Sequence, residues 1–493
     1  MKTKQIIVLA VILVALIAGV LIRNSHKPAE LATEDYTSLG FSLDPDKVSH
    51  IELTQGKAGK PVRIAKKAKP WGLPDIADAP ADAEKVNRFL EDVKKTKGEL
   101  RARDKNLFKD FGVGDSDAFW IRFFDEGGKN FLTLLFGNKK ADNQSVFVRR
   151  ADSDAVYLAD ANLLGDIGIY GEPAGKELRA DFWPDLKIVP AKAEDIQQIK
   201  IQRSGEGQSF AAASLVHEVQ PATVQQVPAQ PKGAQWRFER TDLPFAIDRE
   251  KVEEFVNSLT AWRAQKVLAP EAGKSYGFEK PFWEMRLVPK QGAEILIQRG
   301  VLDQESNTYF IRVSASPIVF TVTSYSLKDR DADDARFFVS NPLGIDPAKI
   351  SQIKIHAGAK DLTLNPKQNL TGLQQAYLDD LKAIEISGLL FKDELKKKVS
   401  PEGKYRIEVQ NEKNESTILD VGEERVGEEP KAYPAQKRGN AQPFAISEES
   451  FKKLFSDTDR ISPKPAVPVP APAAAIPPTE PPPVTAQAAQ TKS

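Results

Sequence analysis

The segment EDIQQIKIQ, Glu194–Gln202, decides the architecture of this chain, because similar segments recur at DKVSHIELT, Asp46–Thr54, and AKISQIKIH, Ala348–His356. Their first aligned apolar residues, at positions 48, 196 and 350, are separated by 196 − 48 = 148 and 350 − 196 = 154 residues. Such separations approach the length of a domain and far exceed the period of a solenoid repeat. The last two apolar residues of each segment alternate with polar ones, as in a half-buried strand. The chain is therefore predicted to contain three copies of one domain.

A tryptophan segment and an amphipathic helix follow this strand in the first two copies. PWGLPD at 70–75 corresponds to QWRFER at 235–240. Asp82 and Asp248 lie where helix N-caps are expected, because a carboxylate there accepts hydrogen bonds from the first backbone N–H groups. The apolar residues of both helices share i, i+3, i+4, i+7 spacing and are Val86, Phe89, Leu90 and Val93, then Val252, Phe255, Val256 and Leu259.

Further matches extend the correspondence beyond the helix. FGV, Phe111–Val113, corresponds to YGF, Tyr276–Phe278, and AFWIRFF aligns with PFWEMRL so that Trp120 matches Trp283. Two strand pairs follow in each copy. This order of elements predicts an α+β fold, in which each copy has antiparallel strands and one amphipathic helix.

The third copy is shorter. It keeps the opening strand, a helix and the strands KYRIEVQ and STILDVG, but all six tryptophans precede it. The predicted helix carries Leu373, Tyr377, Leu381 and Ile384 on one face. We therefore interpret the third copy as a degenerate or capping unit.

Composition marks the segments that join and end the copies. Stretches rich in proline, alanine and glutamine bury too little apolar surface to offset chain entropy. The predicted organisation is a membrane anchor at 1–23, a linker at 24–45, α+β copies at 46–190 and 191–345, a Gln/Pro/Ala-rich insertion at 211–234, a degenerate copy at 346–460 and a disordered Pro/Ala-rich tail at 461–493.

The N-terminus predicts a single transmembrane helix. Ile6–Ile22 is an unbroken run of 17 apolar residues or glycine, preceded by Lys2 and Lys4 and followed by Arg23. This length is at the short end of what spans a bilayer. A cleaved signal peptide is the alternative, but the end of the run has no small-residue cleavage pattern. We expect a retained anchor in the bacterial inner membrane, with the bulk of the chain extracytoplasmic.

Charge and cysteine content exclude several classes of protein. Lysine plus arginine and aspartate plus glutamate both total 69, so the formal net charge is zero, unlike the strongly basic surface expected of a nucleic-acid-binding domain. The chain has no cysteine. Disulfides, thiolate metal sites and cysteine nucleophiles are therefore excluded.

The recurring features also resemble a known family. The opening strand, the W-x-L segment, the A-D-x-x-x-V helix start at Ala81–Val86, the aromatic-glycine turn and the aromatic-x-V-R strand are similar to those of a bacterial membrane-anchored family of domains of unknown function. The resemblance covers residues 46–460 and is strongest in the first two copies. Members are often encoded beside gliding-motility-type ABC transporter permeases and auxiliary subunits. The resemblance implies a place in the cell envelope and inner-membrane transporter subunits as partners, but no catalytic residue.

One motif is typical of a serine hydrolase. Gly273–Gly277, GKSYG, satisfies the G-x-S-x-G pattern, in which a buried strand enters the turn and a helix leaves it so that the serine hydroxyl is exposed near a histidine and an acid. Here a strand is predicted after the turn. Tyr276-Gly277 also corresponds to Phe111-Gly112, where the first copy has aspartate instead of serine. We interpret the motif as a turn of the repeat and predict no catalytic residue.

Metal and cofactor motifs are incomplete. Asp329, Asp331 and Asp333 have the opening spacing of a calcium loop, but the expected glycine is Asp334 and the expected bidentate glutamate is Ser340. The short glycine motifs GVG and GEG lack the third glycine of a dinucleotide fingerprint. Scattered in sequence, the four histidines are His26, His50, His217 and His356. We predict no metal site and no cofactor site.

Two classes of function remain open. The first is a non-catalytic envelope scaffold or accessory protein of an ABC-type transport complex. The second is an envelope-polymer protein that binds glycan or peptidoglycan in a cleft between copies, or a weak hydrolase. The pairs Trp71/Trp236 and Trp120/Trp283 are candidates to line a carbohydrate groove, but we interpret them as shared core because they recur at matching places in the copies. An exposed sheet edge favours the first, and exposed aromatic residues in a groove favour the second.

Overall fold

The computed structural model describes residues 37–39, 41, 43–66, 70–139, 145–171, 173, 175–205, 208–218, 235–314, 316–391, 404–423, 426, 432–456 and 458–461. The chain divides into two compact units between Val339 and Ser340. The predicted anchor at 1–23 and the tail beyond 461 lie outside the described residues. Among the helices that are described, none is long and apolar enough to span a membrane.

The first sheet belongs to the first copy, but its first strand lies in the segment predicted as a linker, 24–45. All its strand pairs are antiparallel, and its order is β1-β6-β10-β9-β8-β7-β2-β3-β4-β5. Its strands are β1 Thr37–Ser38, β2 His50–Gln55, β3 Val62–Lys66, β4 Trp71–Leu73, β5 Ala79–Pro80, β6 Lys97–Ala102, β7 Phe119–Phe124, β8 Asn130–Lys139, β9 Val146–Arg150 and β10 Val156–Ala159.

The second sheet belongs to the second copy and is also antiparallel. Its order is β13-β12-β11-β15-β16-β17-β18-β14. Its strands are β11 Ile196–Gly205, β12 Gln208–Glu218, β13 Gln235–Phe238, β14 Lys266–Leu268, β15 Trp283–Pro289, β16 Ile295–Asp303, β17 Thr308–Val313 and β18 Val319–Thr323.

The third sheet lies in the second compact unit. Its antiparallel order is β20-β19-β22-β23-β24-β25-β21. Its strands are β19 Ile350–Ala357, β20 Lys360–Leu364, β21 Ile386–Leu389, β22 Tyr405–Asn411, β23 Ser416–Val421, β24 Ala432–Lys437 and β25 Phe444–Ser447.

The three sheets have one topology. Reading each sheet from the strand after the helix gives β6-β10-β9-β8-β7-β2-β3, β14-β18-β17-β16-β15-β11-β12 and β21-β25-β24-β23-β22-β19-β20. The first two continue into a tryptophan strand, β4 or β13, which has no counterpart among the described residues of the third. The predicted tandem α+β repeat, mainly of antiparallel strands, is thus confirmed.

Each of the three copies contains one long amphipathic helix. The side chain of Asp82, Asp248 or Thr371 accepts a hydrogen bond from the backbone at its N-terminus, so both predicted aspartate caps are confirmed. The helices are α1 Ala83–Lys95, α2 Leu163–Asp166, α3 Arg249–Thr260, α4 Ser324–Lys328, α5 Gly372–Lys382 and α6 Glu448–Phe451, the last continuing as a π-helix over Lys452–Ser456.

The apolar faces of α1 and α3 lie in the core with the inner faces of the first two sheets. All eight apolar residues predicted on these helices are buried. In α5 the prediction is wrong at Leu373, which is 55% exposed, whereas Tyr377 and Leu381 are buried. Ile384 is also buried but lies beyond the end of the helix at Lys382. Leu373 lies in the first turn of the helix, where its side chain projects from the end of the buried stripe.

The predicted insertion at 211–234 is partly wrong. Residues 211–218 belong to β12, and Ala212, Ala213 and Leu215 are buried in the core. This strand pairs with β11, so the alanine-rich stretch is part of the sheet. Residues 219–234 lie outside the described part of the chain.

Candidate functional site

The four paired tryptophans are core residues. Trp71, Trp236, Trp120 and Trp283 are 4, 5, 6 and 0% exposed. A sugar ring stacks on an accessible aromatic face, which these side chains do not offer. The interpretation of these residues as core is therefore confirmed.

Sheet register also overturns the pairing of Trp120 with Trp283. Phe123 lies opposite Ile51 of the first opening strand, and Leu287 lies opposite Ile199 of the second. Counting back four residues from each places Trp283 at the position of Phe119, on the inner face. Trp120 instead packs with Ala118 and Leu135 in a separate cluster. The matching FW letters are thus one residue out of register, and a one-residue shift moves a side chain to the opposite face.

The aromatic-glycine turns have a structural role that explains their recurrence. Gly112 and Gly277 have φ of +67° and +79°, a region that favours glycine. Each turn packs on a bulge in the neighbouring strand, where the backbone N–H of Asn138 donates to Phe111 O and that of Val301 donates to Tyr276 O, both at 2.9 Å. The GVG motif lies in the first of these turns. The GEG motif, 205–207, extends beyond the residues that the structure describes.

Ser275 belongs to the second of these turns. Its side chain is exposed, and the chain runs on into strand β15 instead of a helix. A nucleophile elbow requires a strand before the turn and a helix after it. The local geometry is therefore that of the bulge-docked turn.

The Asp329, Asp331 and Asp333 carboxylates have separate partners. Asp331 Oδ1 accepts a hydrogen bond from Arg203 Nε at 2.8 Å, and Asp333 Oδ1 accepts from the backbone N–H of Ala335 at 3.0 Å. Asp329 Oδ2 lies 3.4 Å from Nη1 of Arg330. Within the described residues, no group of three or more histidine or acidic side chains is placed to hold a metal ion.

The described histidines lie in three different strand environments. His50 packs on Phe124 with ring centroids 4.9 Å apart, and His217 packs on Trp236 at the same centroid distance. Burial is the main cause that lowers the pKa of both imidazoles. His356 Nδ1 lies 2.6 Å from Asp361 Oδ1. His26 lies outside the described residues.

One buried carboxyl group was not predicted from the sequence motifs. Asp334 is fully buried; its Oδ1 accepts a hydrogen bond from the Ser214 N–H at 3.0 Å. Its Oδ2 has no hydrogen-bond partner and lies 3.7 Å from Arg240 Nη1. Burial raises the pKa of Asp334 to about 7. The only sequence signal was that Asp334 occupies the glycine position of a failed calcium loop.

The open end of the third sheet is the candidate interaction site. β3 pairs with β2 and β4, and β12 pairs with β11 and β13, so both strands are covered on each side. The corresponding strand β20 pairs with β19 and ends the described sheet. An edge strand offers backbone groups to which another extended segment can bind.

A proline follows the last residue of β20. Ile64, Leu215 and Leu364 correspond, because each lies opposite the equivalent isoleucine of its opening strand. Two residues later the first copy has Lys66, whose N–H donates to Ser49 O beside the opening strand at 2.8 Å, whereas the third has Pro366. Proline has no N–H for that bond, so the pairing of β20 with β19 ends before it. The part of the edge that can accept a strand is therefore β20 itself.

Charged and polar side chains line this edge. Lys360, Asp361 and Thr363 are exposed, and Leu362 is half-buried. The His356–Asp361 pair links β19 to β20 across the sheet. Such charges discourage indiscriminate pairing of an edge, so a partner must match them.

Comparison with known families identifies the repeat. A sequence profile described as Domain of unknown function (DUF4340) matches the chain twice, at residues 71–281 and 236–406. Together these matches cover 406 − 71 + 1 = 336 of the 493 residues. They begin at Trp71 and Trp236, which lie on corresponding strands, so the profile detects the same repetition as the sheets. No curated protein and no solved structure matches the chain.

Proposed function

The chain belongs to the family described as a domain of unknown function, DUF4340, and from this premise we propose that it is a non-catalytic scaffold or accessory protein. In this proposal it is anchored in the bacterial inner membrane, with its domains in the periplasm. Its third copy docks an extended segment of a partner protein by strand addition at β20. The partner is a subunit of an ABC-type transport complex.

The open edge of β20 carries this proposal. In the first two copies the equivalent strands accept β4 and β13 in antiparallel orientation, so the fold itself accommodates one more strand at this end. A partner strand would pair antiparallel with Lys360–Leu364 and stop before Pro366. Main-chain hydrogen bonds would supply affinity, and the exposed Lys360 and Asp361 would select the partner by charge.

The identity of the partner rests on the family resemblance and on the predicted anchor. A single N-terminal span would keep all three copies near the membrane surface, where transporter subunits expose their periplasmic segments. The zero net charge favours a protein partner over a polyanion.

Site-specific photocrosslinking in membranes tests the proposal. A photoreactive residue at Thr363, on the edge, is compared with the same residue at Ser416, which is exposed on the internal strand β23. We expect Thr363 to capture a transporter subunit that Ser416 does not capture. Equal capture at both sites, or no transporter subunit at either, would count against docking at β20.

A second experiment separates this proposal from the polymer-binding alternative. The intact membrane protein is purified after crosslinking beside a chain that lacks the third copy, 346–460, with an unrelated single-span protein as background. We expect enrichment of transporter subunits with the intact chain alone. Retention of a glycan or peptidoglycan fragment without a transporter subunit would replace the scaffold proposal with polymer binding.

A further inference from the structure

A carboxylate holds the covering segment to the strand beside it in each of the first two copies. In the second copy, Glu239 follows β13; its side chain accepts a hydrogen bond from the Ser214 hydroxyl and lies 3.1 Å from the Lys200 ammonium. In the first copy, Asp75 follows β4, and its Oδ1 lies 3.1 Å from Arg63 Nη1. Both closed sheet ends therefore include a carboxylate on the face of the sheet away from the core.

The third copy keeps the two groups that bind this carboxylate in the second. Lys200 pairs across the strands with Ser214, and Lys354 pairs with Thr363. These cross-strand pairs correspond, because each lies one residue beyond the aligned isoleucine of its opening strand. Residues that pair across two strands share one face of the sheet. A hydroxyl and an ammonium thus lie together at the same place in both sheets.

The carboxylate itself is missing from the third copy. In the described part of its sheet, no strand follows β20. The exposed side chain of Thr363 makes no hydrogen bond with any described residue. Lys354 is exposed, and its Nζ lies 3.5 Å from Glu408 Oε2 on β22, on the side of β19 away from the edge. The hydroxyl and ammonium of the second copy are therefore kept where their acid is absent.

The inner face of the same edge has uncovered apolar surface. Val62, Ala213 and Leu362 correspond, because each lies opposite the second inward residue of its opening strand. Val62 and Ala213 are buried, whereas Leu362 is half-buried. In the second copy, Phe238 lies opposite Leu215 on the covering strand, one residue before the carboxylate. A covering strand thus presents an apolar side chain to one face and an acid to the other.

We propose that the segment docked at β20 carries an acidic residue between two apolar residues. Its carboxylate would accept a hydrogen bond from the Thr363 hydroxyl and pair with the Lys354 ammonium, as Glu239 does with the corresponding groups of the second copy. This inference rests on the proposed docking at β20 and specifies the chemistry of the partner segment.

The order of the three residues follows from the antiparallel register. With the acid opposite Thr363, the residue before it lies opposite Leu364, which is the place that Phe238 takes in the second copy. The residue after it lies opposite Leu362 and would cover the apolar surface left there. Side chains alternate between the two faces of a strand, so the acid and its apolar neighbours reach opposite faces of the sheet.

Peptide binding to the full-length chain in detergent tests the proposal. The probe is a fluorescein-labelled peptide with the sequence of residues 235–241 and the change Arg240→Leu, which places Glu239 between two apolar residues. The matched control peptide also carries Glu239→Gln. Fluorescence anisotropy measures the affinity of the chain for each peptide.

We expect the acidic peptide to bind about ten-fold more tightly than the control peptide, as expected for a hydrogen bond to a charged group. In the chain, Thr363→Val should remove most of this preference. Lys354→Gln should reduce it about three-fold, because that ammonium is exposed. Lys200→Gln, at the corresponding position of the closed second copy, should leave peptide binding unchanged.

Equal affinity for the two peptides, no binding of either, or a loss of binding in Lys200→Gln would overturn the inference. Photocrosslinking at Thr363 separates it from the proposed function. Capture of a transporter subunit without a preference for the acidic peptide would leave docking at β20 in place and remove the partner chemistry. A preference for the acidic peptide without capture of a transporter subunit would leave the partner chemistry in place and remove the transporter.

Discussion

The first and third sheets share one strand order but end differently. In the first, β4 covers β3 and brings Trp71 into the core, whereas in the third β20 is the last described strand. The meander and the helix are kept in both, because they enclose the apolar residues of the opening strand. The topology of the repeat therefore does not depend on its closing strand. What the closing strand provides is protection of the sheet end.

Removing the aromatic side chain of the closed end should have the largest effect. Trp71→Ala should lower the free energy of unfolding by about 3–5 kcal/mol, because it removes a buried ring and its packing. Leu362→Ala at the open end should cost less than about 1.5 kcal/mol, since that side chain is only half-buried. Urea unfolding monitored by circular dichroism measures both changes. Equal costs would break the contrast between a closed and an open end.

The bulge-docked turns should respond alike in the first two copies. A Cβ added at Gly137 would lie 2.2 Å from Phe111 O, and one added at Gly300 would lie 1.9 Å from Tyr276 O. Gly137→Ala and Gly300→Ala should each destabilise by about 2–4 kcal/mol, because backbone atoms must move. Gly171→Ala is the control, for which a smaller loss of stability is expected. Its added Cβ would meet no atom within 4 Å, so only the strain of a φ of +73° remains. Tolerance of either substitution, measured by thermal unfolding, would remove the proposed reason for the recurring turn.

The buried Asp334 of the second copy corresponds to Ala180 in the first copy. The backbone N–H groups of the cap residues Asp82 and Asp248 donate to Trp183 O and Phe337 O. Ala180 and Asp334 correspond because each lies three residues before one of these acceptors. Because burial raises the pKa of Asp334 to about 7, between about pH 4 and pH 7 the folded state holds a proton that the unfolded state has lost. The contribution of Asp334 to the stability of the protein is therefore largest below about pH 4 and is lost as the pH rises through 7.

Asp334→Asn should remove this pH dependence. The amide keeps an acceptor for the Ser214 N–H and carries no charge, so the variant should be stabilised at pH 8 by roughly 1–3 kcal/mol. The gain should shrink toward pH 4, where the native carboxyl is also neutral. Urea unfolding of both proteins at pH 5, 7 and 8 measures the difference. A gain that does not vary with pH would show that Asp334 is ionised throughout.

The smallest effect is expected at Leu373, the residue of helix α5 that was predicted to be buried but is exposed. Leu373→Ala should change stability by less than about 0.5 kcal/mol, because the side chain is 55% exposed. Leu381→Ala, fully buried on the same helix, should cost about 2–5 kcal/mol. Thermal unfolding distinguishes the two, and a large cost at Leu373 would mean that another surface covers it.

The copies, their helices and their aspartate caps could be predicted because these features depend on local spacing. A period of two or 3.6 residues determines which side chains share a face, and a capping carboxylate acts within three residues of its own position. The prediction failed at Leu373 because spacing defines a stripe but not where burial stops. It failed at residues 211–218 because composition does not reveal a paired strand.

The repetition, the antiparallel α+β class and the absence of cysteine chemistry follow from the sequence alone. Only the three-dimensional fold shows that Trp120 and Trp283 lie on opposite faces and that β20 is the last strand in the described part of the third sheet. The physical reason is that strand register and sheet ends are set by pairing between segments far apart in the chain. Local periodicity fixes the two faces of a strand, but only its neighbours fix which face is buried and which edge is open.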